Sequence, residues 1–502
     1  MKILLINPPF QRLKSIKAVY FPLGLGYLAS VLEQNSFDVK IYNAEIPREQ
    51  THHHGTITSL LQEHHQYIEA LSDNSHPVWK EIQSVLSNYQ PDIVGISVMT
   101  AKYGSALKIS NLCKEYRSDC LVIWGGPHPT VQPENVLRIP SIDFVVRGEG
   151  EGTLLELSQL IAQRKHNDPL TLQKVLGLSF KDKETVIHNS SRPLLDNLDQ
   201  LPYPAHHLAI NQFLYSTDEM SNLLTSRGCP FNCAYCAACS IWGRGVRFRS
   251  VTNVINEIKH IKERYRVLNF NFWDDSFTVN RRRTIELCQA MIKERLNIAW
   301  NCSTRADLID EELVRIMKKA GCYNMDIGIE SGSPRMLKLI RKGISLEDIA
   351  KMEIILKKYG LAWGAFFMIG FPEETREDIQ KTLDLIKNVR ASSVNLGVFT
   401  PYPGTELYET TKRLGLISDN YDWSRISHQS SENYFIKDIS REEFQAISFE
   451  AARLIDAHNS SLHNILKRVK SRFLFYLQHP LLFIQKVKRF LNARSFLFGY
   501  TI

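Results

Sequence analysis

Eleven short apolar runs, each separated from the next by a stretch of helical periodicity, constrain this chain more than any other feature. The first five, at 3–6, 39–42, 93–97, 121–124 and 144–146, are built largely from Ile, Val and Leu. Apolar strands that alternate with helices form parallel sheets covered on both faces. The pattern therefore predicts an α/β domain over 1–160 with a doubly wound, flavodoxin-like parallel sheet. A second series opens near Leu223 and continues at 268–273, 298–302, 324–329, 363–369 and 394–399. Six strand–helix units joined by right-handed crossovers predict a partial (β/α)6 barrel over 216–425 with all strand ends on one rim. Residues 161–215, which include Pro202-Tyr203-Pro204, read as a linker, and 426–502 as a helical carboxyl-terminal region.

With 502 residues and 44% hydrophobic content, the chain is large enough for two or three ordinary cores. Its opening, Met1-Lys2-Ile3-Leu4-Leu5-Ile6-Asn7, reads as a buried strand rather than a signal peptide. Nine cysteines without a secretory leader argue for a reducing cytoplasm and against a disulfide scaffold. The net charge of +8 is concentrated in a tail, because eight Lys or Arg and no Asp or Glu follow Asp456. The main body thus lacks the basic excess of a nucleic-acid groove. The tail's apolar stretches, 473–477 and 480–484, are too short and interrupted to span a bilayer. Basic residues interleaved with Phe and Leu fit a helix on the inner, anionic membrane surface, or a pair of helices capping the barrel.

The chemistry concentrates in Cys229-Pro-Phe-Asn-Cys233-Ala-Tyr-Cys236. Three thiolates at this spacing can hold three irons of a [4Fe-4S] cluster and leave the fourth iron open. The competing reading is a zinc tetrahedron completed by Cys239, although zinc ribbons pair two distant CxxC knuckles and no second knuckle exists here. Cys239 is otherwise a neighbouring non-ligand, and Cys113, Cys120, Cys288, Cys302 and Cys322 read as packing residues. The loop, preceded by Arg227-Gly228, resembles the signature of the radical SAM enzymes. That resemblance implies that S-adenosyl-L-methionine chelates the open iron and is cleaved reductively to a 5'-deoxyadenosyl radical. It also implies an external donor such as flavodoxin or ferredoxin and an anaerobic setting.

Further residues follow from the same resemblance. Tyr235, Asp275, Glu330, Gly370 and Pro401 become contacts of S-adenosylmethionine: an aromatic by the adenine, a carboxylate by the amine, a carboxylate for the ribose, and two backbone platforms. Asp274 or Asp275 equally fits a helix cap, Ser333 before Pro334 fits another, and Gly370 and Pro401 fit ordinary turns. Arg305 is placed to pair with a carboxylate.

The first domain resembles the cobalamin-binding domain found ahead of many radical SAM cores. The likeness rests on Pro22-Leu23-Gly24-Leu25-Gly26-Tyr27-Leu28, Ser97-x-Met99 and Gly125-Gly126. It implies cobalamin contacts at Pro9, Ser97, Met99, Gly125, Gly126 and Glu149, on loops at the carboxyl ends of the strands. The histidine-bearing loop that ligates cobalt in other cobalamin proteins is absent; Asn7-Pro8-Pro9-Phe10 stands there, and His52-His53-His54 reads as a solvated loop. A cofactor-free scaffold remains the alternative for this domain. With both cofactors the architecture implies methylation of an unactivated carbon of a small-molecule or lipid-like substrate. Cyclisation, oxidation or rearrangement without net methyl transfer is the alternative, and a non-catalytic electron-transfer or sensing protein a third.

Overall fold

In the computed structural model, which describes residues 1–16, 20–47 and 55–480, five parallel strands form the first sheet. They are β1 (Lys2–Asn7), β2 (Asp38–Asn43), β3 (Ile93–Ser97), β4 (Leu121–Gly125) and β5 (Phe144–Val146). The order β2-β1-β3-β4-β5 reverses between β1 and β3, which opens a crevice beyond their carboxyl ends. Ile3 and Leu5 enter one core and Leu4 and Ile6 another, so both faces are buried, as the apolar runs demand.

Part of the expected linker belongs to this sheet. β6 (Leu178–Asp182) pairs antiparallel with β5, and β7 (Thr185–His188) pairs antiparallel with β6. The hairpin turns at Lys183-Glu184 with Lys183 at φ 55°, and it lacks the Gly or Asn that marks such turns in a sequence. The chain then runs along the outer edge of β2, where Ile210 N donates to Ile41 O at 2.9 Å.

The second sheet has the order β15-β14-β13-β12-β11-β8 and is wholly parallel, an open six-stranded barrel as expected. Its strands are β8 (Asn222–Leu223), β11 (Asn269–Phe272), β12 (Ala299–Thr304), β13 (Cys322–Glu330), β14 (Ala362–Ile369) and β15 (Ser393–Val398). A short antiparallel ribbon of β9 (Ser226–Arg227) and β10 (Arg247–Phe248) brackets the cysteine loop.

The carboxyl-terminal region ties the two sheets together. The helix Arg441–Ser460 covers β15: Asn459 accepts from Val394 N at 2.8 Å and donates to Val394 O at 2.9 Å, which satisfies the exposed strand edge. Asp456 accepts from Ile57 N at 2.8 Å and Thr58 N at 3.1 Å, capping a helix of the first domain. The helix Leu462–Ser471 then closes the amino-terminal end of the barrel, with Arg468 donating to Ser392 O at 2.7 Å and Arg472 lying 3.8 Å over the Tyr323 ring. The capping alternative for the tail thus holds for its described part, and 481–484 lie outside the described residues. Among the described residues no helix is long and apolar enough to cross a membrane.

Candidate active site

The cysteine loop is a rigid rim element. Gly228 has φ 98°, and a Cβ there would lie 2.2 Å from Gly245 O, so only glycine allows this approach. Ala234 N donates to Ile340 O at 2.9 Å and Leu407 N donates to Ala234 O at 3.0 Å. Arg305 pairs with Asp307 at 2.9 Å, as expected of it, and its guanidinium also lies 3.7 Å over the Phe231 ring. Cys239 Sγ donates to Phe231 O at 3.2 Å, which occupies that thiol within the loop. Cys233 and Cys236 line a cavity of about 290 Å³ with Cys239, Arg244, Gly404 and Glu406.

Among the described residues no three His, Cys, Asp or Glu side chains converge as a single metal ion requires. A four-iron cluster takes one thiolate per iron and spreads its ligands, which suits this loop. Burial pushes the Cys236 thiol up to about 11, so metal binding there must expel a proton.

The two aspartates after β11 divide their work. Asp274 is buried and accepts from Thr225 N at 3.1 Å, Thr225 Oγ1 at 2.8 Å and the Ser226 hydroxyl, anchoring the segment that leads into the loop. Asp275 is exposed beside Cys229 and Cys236 and accepts from Gly228 N–H. Enclosure by the rim, then the Asp274 charge, pushes its carboxyl above the ordinary value. Neither caps the following helix; Asn280 does, accepting from Arg283 N at 3.1 Å.

Glu330, with φ 69°, ends β13 and accepts from Tyr235 Oη at 2.9 Å and Lys342 Nζ at 2.8 Å. A Cβ on Gly328 would lie 2.4 Å from Glu330 Oε1 and 2.7 Å from Lys342 Nζ, so that glycine makes room for the pair. Tyr235 and Glu330, expected as separate contacts, are one unit. Lys342 was not singled out by the sequence reading, because a lysine in a turn twelve residues from its partner carries no periodic signal. Ser333 caps the helix Pro334–Leu339 as expected. Gly370 and Pro401 are buried: Phe444 fills the space above Gly370, where a Cβ would lie 2.6 Å from its ring, and Pro401 sits in a turn closed by Tyr402 N donating to Thr400 O. Both residues are thus packed in turns at the carboxyl ends of β14 and β15.

In the first domain, the crevice loops form a ledge. Met99 is 57% exposed at the end of β3, a Cβ on Gly125 would meet nothing nearer than 3.5 Å, and Gly148 faces open space. Ser97 is half-buried behind them. Gly126 has φ 98° with Val98 N 3.1 Å from its missing Cβ, so the turn itself requires that glycine. An apolar side chain beside bare backbone fits a flat macrocycle laid across strand ends.

Two of the expected cobalamin contacts have other partners within the protein. Pro9 is buried next to Phe10, which packs edge-on against Tyr67. Glu149 accepts from Arg227 at 2.7 Å, Arg247 at 2.8 Å and Leu195 N at 2.8 Å, so it joins the first domain to β9 and β10. Its acidic neighbour Glu151 pairs with Arg227 as well, at 2.6 Å. No histidine follows β1, His128 is buried against Thr100, Tyr103 and Trp423, and His52-His53-His54 lie outside the described residues.

Ledge and cysteine loop adjoin. The missing Cβ of Gly404 lies 3.0 Å from Val131 Cγ1 and 3.3 Å from Ser240 Oγ. The helix Pro127–Val131 after β4 therefore meets both the rim turn and the helix Ala238–Trp242 that follows the third cysteine.

Residues 223–386 match the radical SAM superfamily and residues 56–158 the B12 binding domain. The chain is 34% identical to an uncharacterized methyltransferase of Pyrococcus horikoshii over 82% of this chain and 83% of that one. It is 27% identical to the cytidylyl-2-hydroxyethylphosphonate methyltransferase of Streptomyces wedmorensis over 85% of each. The structure of the radical S-adenosylmethionine methyltransferase TsrM from Kitasatospora setae, with cobalamin and a [4Fe-4S] cluster bound, superposes with a TM-score of 0.61 at 17% identity, covering 82% of this chain and 75% of that one. The chain belongs to the radical SAM superfamily, as a member with an amino-terminal B12 binding domain. Its cofactors are accordingly a [4Fe-4S] cluster, S-adenosylmethionine and cobalamin.

Proposed function

We propose that this protein is a cobalamin-dependent methyltransferase that methylates an unactivated carbon of a small molecule. The observation that carries the reading is the contact of the cysteine loop's own helix with the helix behind the first-domain ledge, through Gly404, Ser240 and Val131. When bound, the cluster supplies the electron that cleaves S-adenosylmethionine to the 5'-deoxyadenosyl radical, and cobalamin supplies the transferred methyl group.

The chain's residues bind, orient and shield. Cys229, Cys233 and Cys236 hold three irons, and Asp275 beside them accepts a hydrogen bond from the methionyl amine. Glu330, fixed by Tyr235 and Lys342, accepts from the ribose. Met99, Gly125 and Gly148 carry one face of the macrocycle, with Ser97 behind. An external one-electron donor of the flavodoxin or ferredoxin kind serves the cluster.

The test is anaerobic reconstitution of the full chain with iron, sulfide and hydroxocobalamin, followed by metal and corrin analysis and turnover with S-adenosylmethionine. The expected outcome is about four irons and one corrin per chain, with 5'-deoxyadenosine and S-adenosylhomocysteine both formed. Cys233→Ala should lose most of the iron and all 5'-deoxyadenosine. Retained cleavage in that variant would overturn the cluster assignment, and absence of corrin would make the first domain a scaffold.

A second, peripheral role is supported at the tail. Leu462, Leu466, Val469, Phe473 and Leu477, spaced by three or four residues, are 46% to 71% exposed on a helical stripe with the exposed Lys470 beside it, whereas Lys467, Arg468 and Arg472 are engaged by the barrel. That combination fits an anionic lipid surface.

A further inference from the structure

The concave face of the barrel carries rows of polar side chains, several of them partly exposed. Strand register sets Asn222, Asn271, Asn301 and Asn324 side by side across β8, β11, β12 and β13. In the next row towards the rim, Ser303, Asp326, Gly364 and Ser393 are neighbours, and Trp273 comes level with Ser303 one residue beyond the Phe272–Cys302 pair. Asn301, Asn324, Asp326 and Asn395 are partly exposed and Ser303 is exposed. The residues between them, Trp300, Cys302, Met325, Ile327 and Leu396, are buried against the helices. A side chain pointing inward is thus more accessible than its outward neighbours, the reverse of a packed barrel.

Asp326 is the group with most to gain from a ligand. It accepts from Asn324 Nδ2 at 2.9 Å, and among the described residues it has no ion pair. Enclosure in the lumen pushes its carboxyl up to about 6. Asn395 Oδ1, two strands away on β15 and level with Gly328, is buried and has no hydrogen-bond partner among the described residues. Trp273 is 48% exposed, and the Tyr20 ring meets it edge-on at 5.0 Å, close enough to Asp326 to feel its charge. A carboxylate beside two aromatic rings is the arrangement that selects a cation. The rows of amides around it offer hydrogen bonds, while Phe366 and Met368 of β14, partly exposed on the same face, add an apolar strip.

Resting on the methyltransferase reading above, we propose that the lumen takes a polar substrate carrying an ammonium or guanidinium group, seated between Asp326 and the Trp273–Tyr20 rings. Asp326 lies four residues below Glu330 on β13, roughly 13 Å by strand rise. A molecule of amino-acid or short-peptide size therefore reaches the cysteine rim with its far end while its cation stays below.

The test uses the full reconstituted chain with S-adenosylmethionine and three probes of one shape: N-acetyl-lysinamide, N-acetylnorleucinamide and N-acetylglutamate amide, with decanoylglycine as the lipid-like competitor. Titration calorimetry should give at least tenfold tighter binding of the lysine probe than of the neutral one, and the isosteric Asp326→Asn should reduce that ratio to near one. Trp273→Phe should lower it a few-fold, with iron content reporting the fold of both variants. Equal binding of all probes, no saturable binding, tighter binding of decanoylglycine, or a preference that survives Asp326→Asn would each overturn the proposal. 5'-Deoxyadenosine formation is scored on the same wild-type preparation. Cleavage without charge preference sinks the lumen proposal alone, whereas loss of cleavage sinks the reading beneath it.

Discussion

Glu374 holds a proton that most glutamates lose well below neutrality. Its carboxyl lies two residues past Pro372, fully enclosed, with Oε2 accepting from Gly370 N at 2.6 Å and Phe371 N at 3.2 Å and Oε1 without a partner among the described residues. Burial outweighs both backbone donors and pushes the carboxyl from 4.5 to about 8. The sign of the linkage follows. The folded state binds this proton more tightly than the unfolded state, so the contribution to stability is complete below pH 4.5 and is lost as pH rises towards about 8. Glu374→Gln keeps the shape and removes the titration. Thermal melts of the apo chain should show the wild type losing on the order of 3 kcal/mol relative to the variant between pH 5.5 and 8.5. Parallel melting curves across that range would mean that water reaches the site.

At the scale of elements, Glu149 shows how a residue placed on a ligand loop can find its partners in distant elements. The sequence puts it at the carboxyl end of β5, where ligands of doubly wound sheets bind. Only the folded chain brings Arg227 and Arg247 to it from β9 and β10, 78 and 98 residues away. The carboxylate is 9% exposed, so replacing it by Gln leaves two guanidinium groups with less charge than they were buried against. Glu149→Gln should cost about 3–5 kcal/mol in urea denaturation, tempered by Glu151, which still faces Arg227. Loss of cluster iron should accompany it, because β9 leads directly into Cys229. A cost below about 1 kcal/mol would show that solvent screens the pairs.

The strands were legible because apolar runs alternate with helical periodicity, and the cysteine loop because its spacing is local. β6 and β7 were not, since their turn uses Lys183-Glu184 in place of glycine or asparagine. The barrel strands carry a second message within the apolar one: Asn301 and Ser303, Asn324 and Asp326, Asn395 and Gly397 alternate with buried residues at period two. Read as plain hydrophobic runs they give the barrel but hide its polar lumen. Lys342 and Glu330 meet only because two rim loops converge, which no local pattern encodes.

At the scale of the whole molecule, the helix behind the ledge meets the cysteine rim through Val131, Gly404 and Ser240, while the tail covers the opposite end of the barrel. That division separates chemistry from location. The helix Leu462–Ser471 spends its polar residues on the barrel through Lys467 and Arg468 and turns Leu462, Leu466 and Val469 outward, with Phe473 and Leu477 continuing the stripe. Partly exposed side chains of this size contribute about 1 kcal/mol each when withdrawn from water, and basic residues near an anionic surface add about 1 kcal/mol each. On the peripheral role proposed above, the stripe would give weak, salt-sensitive attachment through the end of the barrel remote from the cysteine rim. Full-length protein should co-float with vesicles containing one quarter phosphatidylserine, bind pure phosphatidylcholine several-fold less, and release at high salt. Leu466→Glu with Phe473→Glu should abolish flotation and leave iron and corrin content unchanged. Flotation that is absent in the wild type or insensitive to the substitutions would overturn the membrane role. A concentration-dependent dimer that the same substitutions dissolve would assign the stripe to a second copy of the chain.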